Sequence, residues 1–121
     1  MGGGPQLGEH HSSLTISMLE PILLVLLKEK PRHGYTLLTE LETLGVKSIH
    51  PSVVYRTLRE LEGLEWIRSD WETDQTQGPP RRTYQLTERG EDAIQYWVDE
   101  MEKTRGLIVQ LKDRLAKLER R

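Results

Sequence analysis

Apolar and polar positions divide the chain into a run of short periodic stretches followed by one long one. The first, 22–27, reads Ile-Leu-Leu-Val-Leu-Leu. A helix apolar on every side must be wrapped by neighbours, from its own chain or another. Its start is set by Pro21, which suits a first helical position, or by Ser17 and Glu20, which fit a reciprocal capping box. It stops near 28–31, because the residue before Pro31 is pushed out of helical backbone angles. Residues 35–44 repeat the helical pattern in Leu37, Leu38, Leu41 and Leu44, and Gly45 is placed to end it with a left-handed turn.

The stretch 49–65 is amphipathic: at about 100° per residue, Pro51, Val54, Tyr55, Leu58 and Leu61 share one side, and Ser52, Arg56, Arg59 and Glu60 the other. Pro51 again fits a helix start. Two strand-like runs follow, 66–72 and 81–86, the second alternating as a half-buried strand does. Between them TDQTQGPP is too long and too rich in breakers for a tight turn, so it should project into solvent. From Thr87, a suitable N-cap followed by Glu88, Glu91 and Asp92, the pattern is helical to the end. Ile94, Trp97, Met101, Thr104, Ile108, Leu111, Leu115 and Leu118 form a heptad seam in which only Thr104 is polar. Gly106 in its interior points to a bend or a close crossing. A helix of about 30 residues runs roughly 45 Å, beyond the domain it leaves, so it needs a partner, most simply a second copy.

Helix, turn, helix and a two-stranded hairpin make a mainly α fold with a small β-hairpin wing: a winged helix-turn-helix plus a long C-terminal dimerisation helix. The expected division is a disordered arm at 1–13, a winged domain at 14–87 and the dimerisation helix at 88–121. A length of 121 residues suits one domain with such an appendage. There are no cysteines, so disulfides and thiolate metal sites are excluded, in keeping with a reducing cytoplasm. No apolar run nears the roughly 18–20 residues of a membrane span. The net charge of −2 argues against a nucleic-acid binder, and the six basic residues between Lys47 and Arg82 are matched by six acidic ones. Only their distribution over faces could make a positive surface.

That distribution singles out Ser52, Arg56 and Arg59, on the outer face near a helix N-terminus. There unpaired N–H groups attract phosphate, and arginine can reach guanine edges. The competing reading is a solvated face whose arginines pair with Glu60 and Glu62. Ser48 and His50, at the same helix start, are further DNA-contact candidates. Of the two arginines on the wing's return, Arg81 is the candidate contact, because alternation turns Arg82 to the side of Tyr84 and Leu86. Tyr55 and Tyr35 read as core residues whose hydroxyls reach the surface. His33 reads as a helix-start residue, since neither it nor His50 has ligands at metal-site spacing. Trp97, with Met101 and Ile94, reads first as interface packing and alternatively as a stacking site for a small aromatic effector. No nucleophile–base pair, phosphate loop or paired carboxylates suggest an enzyme.

These residues resemble the PadR family of winged-helix transcriptional regulators, in particular its shorter members. The likeness lies in 22–27 with Pro31, His33-Gly34-Tyr35, Pro51 with Val54-Tyr55 and 58–62, and GPPRRTYQLT at 78–87 with Gly90, most specifically in the arginine pair ahead of Tyr84 with Leu86-Thr87. It implies a cytoplasmic homodimer that binds double-stranded DNA at a palindromic operator, as a repressor; the alternative is a winged-helix protein-interaction module. Two positions depart from the family pattern. His50 replaces a small hydroxyl residue or glycine before the recognition helix, leaving Ser48 or Ser52 to take over the cap. Glu65 stands where a glycine is usual.

Overall fold

The computed structural model describes residues 13–46, 49–72 and 80–120. The expected arm lies outside them except for Ser13, which opens a short helix, α1 (Ser13–Ser17). Helix α2, Leu19–Glu29, is the hub: Leu19, Leu23, Leu24, Leu26 and Leu27 are all buried, as a helix apolar all round requires. It begins earlier than Pro21 and without the capping box. Met18 stays helical, its N–H bonded to the Thr15 carbonyl at 3.1 Å; Ser17 closes α1, and Met18 stands at the N-cap of α2 without a side-chain cap bond. Pro21 is tolerated within the first turn, where N–H groups lack intrahelical partners.

The carbonyl end of α2 is closed by Arg32, which the sequence pattern did not single out. Its guanidinium is buried, with Nε donating to the Leu26 carbonyl at 3.0 Å and Nη2 to Glu29 at 2.6 Å. A cation there gives the Leu26 carbonyl a second donor beside the Lys30 N–H at 3.4 Å and opposes the helix dipole. Arg32 also belongs to a strand absent from the sequence reading, β1 (Arg32–His33), too short to show a period. Helix α3, Gly34–Thr43, buries Leu37 and Leu41, but Leu44 at its end faces outward rather than inward. Gly45 ends it as expected, with φ at +90° and its N–H on the Glu42 carbonyl.

Helix α4, Pro51–Gly63, is followed by β2 (Ile67–Trp71) and β3 (Arg82–Leu86). The hairpin expected from sequence is thus part of a three-stranded antiparallel sheet in the order β1-β3-β2. The register pairs Ile67 with Leu86 and Trp71 with Arg82. Ile67 and Tyr84 enter the core; the loop tip, 73–79, lies outside the described residues. Helix α5 runs unbroken over Glu88–Glu119, capped by Thr87 Oγ1, which accepts from the Gly90 N–H at 3.1 Å. It has no break at Gly106, where a Cβ would meet nothing within 4 Å among the described residues.

Candidate nucleic-acid interface

Helix α4 is set down on the core by Val54, Thr57, Leu58 and Leu61, all buried. The buried Thr57 hydroxyl is satisfied by the Val53 carbonyl at 2.9 Å. This leaves Ser52, Arg56 and Arg59 exposed on the opposite face; Pro51 is exposed too, outside the apolar side predicted for it. The cap falls to His50 rather than to a serine. Its Nδ1 accepts from the Ser52 N–H at 3.1 Å and lies 2.8 Å from Ser52 Oγ. An imidazole nitrogen here does what a hydroxyl oxygen does elsewhere. Ser48 lies outside the described residues.

Arg56 and Arg59 do not pair with Glu60 and Glu62. Among the described residues the ion pairs use other cations, namely Lys28, Arg32, His33, Arg89 and Arg105. Glu62 instead accepts from the Ser69 hydroxyl at 3.0 Å, tying α4 to β2.

Beside α4, a groove of about 680 Å³ runs between the start of α3 and the base of the wing. Tyr35, Tyr55, Trp71, Arg81 and Arg82 line it. Gly34 brings α3 against α4 so closely that a Cβ there would stand 2.8 Å from the Tyr55 ring. Tyr55 packs against the core as expected, whereas Tyr35 is 78% exposed, because position 35 opens α3 on the side away from Leu37 and Leu41. Both wing arginines are exposed. Arg82 shares the side of Tyr84 but is not withdrawn: at the sheet's end its guanidinium lies over the Trp71 ring, 5.1 Å from the centroid. Burial pushes the Tyr84 hydroxyl above its ordinary pKa, and the Arg82 charge works against that rise. Glu72, just past β2, accepts from Thr83 Oγ1 at 3.0 Å and stands 3.5 Å from His33 Nε2.

The exit of α4 is held in a second, tighter arrangement. Glu65 has φ +62°, the left-handed region that costs a side chain about 1–2 kcal/mol. Its carbonyl accepts from Thr87 Oγ1 at 2.6 Å and its carboxylate from Arg89 at 2.7 Å. Further along α5, Ile94 and Trp97 pack partly buried on the domain's own core, so these two seam positions are used within the chain itself. Trp97 Nε1 is buried without an acceptor among the described residues. Met101 is half-buried at the edge of an apolar groove with Met18, Pro21, Ile22, Val25 and Leu44.

The model of the transcriptional regulator PadR-like family matches residues 22–96. This chain belongs to the PadR-like family. Solved structures of similar fold include a Streptococcus transcriptional regulator, 31% identical, covering 80% of this chain and 98% of its own, with a TM-score of 0.64. A conserved protein of unknown function, described as a potential transcriptional factor, is 27% identical over 100% of both chains with a TM-score of 0.72. A PadR family regulator from Eggerthella lenta is 24% identical, covering 81% of this chain and 84% of its own, with a TM-score of 0.71. No curated protein matches. The PadR-like protein described here therefore has the winged-helix fold of transcriptional regulators, and its family is regulatory rather than enzymatic. No helix among the described residues is long and apolar enough to cross a membrane.

Proposed function

We propose that this PadR-like regulator binds double-stranded DNA as a homodimer and acts as a repressor at a roughly palindromic operator. The observation that carries the reading is the outer face of α4, where Arg56 and Arg59 stand exposed beside Ser52 and form no ion pair among the described residues. Arg56 and Ser52 would carry base preference, with Arg59 beside them. Arg81 and Arg82, at the groove that adjoins α4, would hold phosphates. Arg56→Ala should weaken operator binding by about 1–3 kcal/mol and relax preference at one position. An unchanged affinity in an anisotropy titration would remove Arg56 from the reading.

The dimer would form through the outer part of α5. Beyond Met101, Ile108, Leu111, Leu115 and Leu118 are exposed on one protomer, and apolar area of this kind on a helix without a neighbour favours association. Charge favours an antiparallel partner. Residues 88–102 hold six acidic groups and one basic, whereas 103–120 hold six basic and two acidic, so antiparallel copies would set unlike halves together. The Gly106 site would then lie near the crossing.

The net charge of −2 favours a second reading, a protein-interaction module that leaves DNA alone. Retention on heparin at low salt separates the two, and flow-through would support the module. A small aromatic effector is a further proposal, supported by the groove of about 630 Å³ that Trp66, Tyr96 and Trp97 line beside Trp97 Nε1, which has no acceptor among the described residues. Planar aromatic compounds that change neither tryptophan fluorescence nor operator affinity would dismiss it.

A further inference from the structure

The exit of α4 and the start of α5 meet at one joint. Thr87 binds it twice, its N–H donating to the Trp66 carbonyl at 3.0 Å and its hydroxyl to the Glu65 carbonyl at 2.6 Å. Arg89 clamps the Glu65 carboxylate at 2.7 Å. Gly90 closes the contact: a Cβ at that position would overlap both the Trp66 carbonyl oxygen and the Leu86 side chain. Only a residue without a side chain lets the first turn of α5 lie this near. Glu65 holds its left-handed backbone within the same joint.

Past the joint, α5 is also supported by the domain body, through the packing of Ala93, Ile94 and Trp97 on the core, the Lys28–Glu91 ion pair from α2 and half-buried Met101 beside Met18 and Ile22. Beyond Met101 it is exposed along nearly its whole length. Its direction relative to α4 is thus fixed at two places, and only the joint lies at the exit of the helix that carries Arg56.

We infer that Glu65, Thr87 and Gly90 are positioning residues for operator half-site spacing: they set the angle between the recognition helix and the dimerisation helix. The inference rests on the DNA-binding homodimer proposed above. In a twofold dimer joined through α5, a tilt at this joint is applied once per protomer, so the two recognition helices move apart or together by the sum. Successive base pairs are about 3.4 Å apart, so a small change of angle is read as a change of preferred spacing. The bases recognised within each half-site stay the same.

The test has two arms. In the first, nitroxide labels at Arg59→Cys and Lys112→Cys, feasible because the chain has no cysteine, report the α4–α5 distance within one protomer in spin-diluted samples. A narrow distribution is expected for the parent, a displaced one for Gly90→Ala and a broadened one for Glu65→Gly. Glu65→Gly is the safeguard against misfolding, because glycine suits φ +62° better than glutamate does. Distributions unchanged in either folded variant overturn the joint as the source of the angle, whatever the protein does with DNA.

In the second arm, inverted repeats of a half-site selected by the unlabelled parent protein are presented at spacings covering one helical turn. The optimum should move by about one base pair in Gly90→Ala and spread over neighbouring spacings in Glu65→Gly, with single half-site affinity within twofold of the parent. A uniform loss of affinity at the parent's optimum overturns the inference. A parent protein that binds no repeat at any spacing rejects the DNA-binding reading, and with it the assignment to half-site spacing, while the distance arm still judges the joint itself.

Discussion

Glu20 shows how a single residue's surroundings oppose its local preference. It lies in the first turn of α2, where the helix dipole favours a negative charge. Burial, and then the charge of Glu60, nevertheless raise its carboxyl above the ordinary value. A carboxyl whose folded pKa exceeds its unfolded one destabilises the fold when ionised. The cost is fully present above the folded pKa and vanishes as pH falls below the unfolded one, about 4.3. Glu20→Gln should therefore melt above the parent at pH 7, with the two converging near pH 4. A variant that melts lower at pH 7 would mean that the dipole outweighs burial. Sequence could not show this, since Glu60 is forty residues away and meets Glu20 only through tertiary packing. The reassigned cap is a milder case: His50 was visible as the residue before Pro51, but that its Nδ1 faces the Ser52 N–H depended on a rotamer.

Among the elements, α5 was the most legible and α1 and β1 the least. A continuous heptad pattern announces a long helix, and the described chain holds one over 32 residues. The same pattern could not say which turns serve the domain and which are left over. Ile94 and Trp97 pack against the core, while Leu111, Leu115 and Leu118 are exposed. Deleting residues 108–121 should consequently leave the winged domain folded and convert a dimer into a monomer in sedimentation velocity at micromolar concentration. Loss of the cooperative melting transition would instead show that the distal turns support the domain itself. The two-residue β1 escaped notice because pairing with β3, rather than periodicity, makes it a strand.

At the scale of the whole molecule, net charge and face charge disagree. With a total of −2, little long-range attraction to DNA is available, so affinity would have to come from contacts within a Debye length, about 10 Å at 0.1 M salt. If Arg56, Arg59, Arg81 and Arg82 of both protomers each meet a phosphate or a base beside one, operator affinity should fall by about 10³–10⁵ between 50 and 200 mM salt. Arg81→Ala should lower the slope of log K against log salt by about two per dimer and weaken all sequences alike. A slope unchanged in that variant would show that Arg81 meets no phosphate. The groove between α3 and the wing was not foreseen as one site, because its lining comes from four separate segments. Tyr35 in particular was placed in the core, for an amphipathic pattern does not say how far round a short helix the burial extends.

Binary patterning, proline and glycine punctuation and the capping threonine were enough to order the helices and strands and to find the outward arginines, because each rests on neighbours within a few residues. Folding in three dimensions decided the rest: that Arg32 closes α2, that Arg82 stays at the surface over Trp71, and that Gly90 lies against Trp66. Those outcomes depend on groups distant in the chain meeting at particular distances. No local rule contains them.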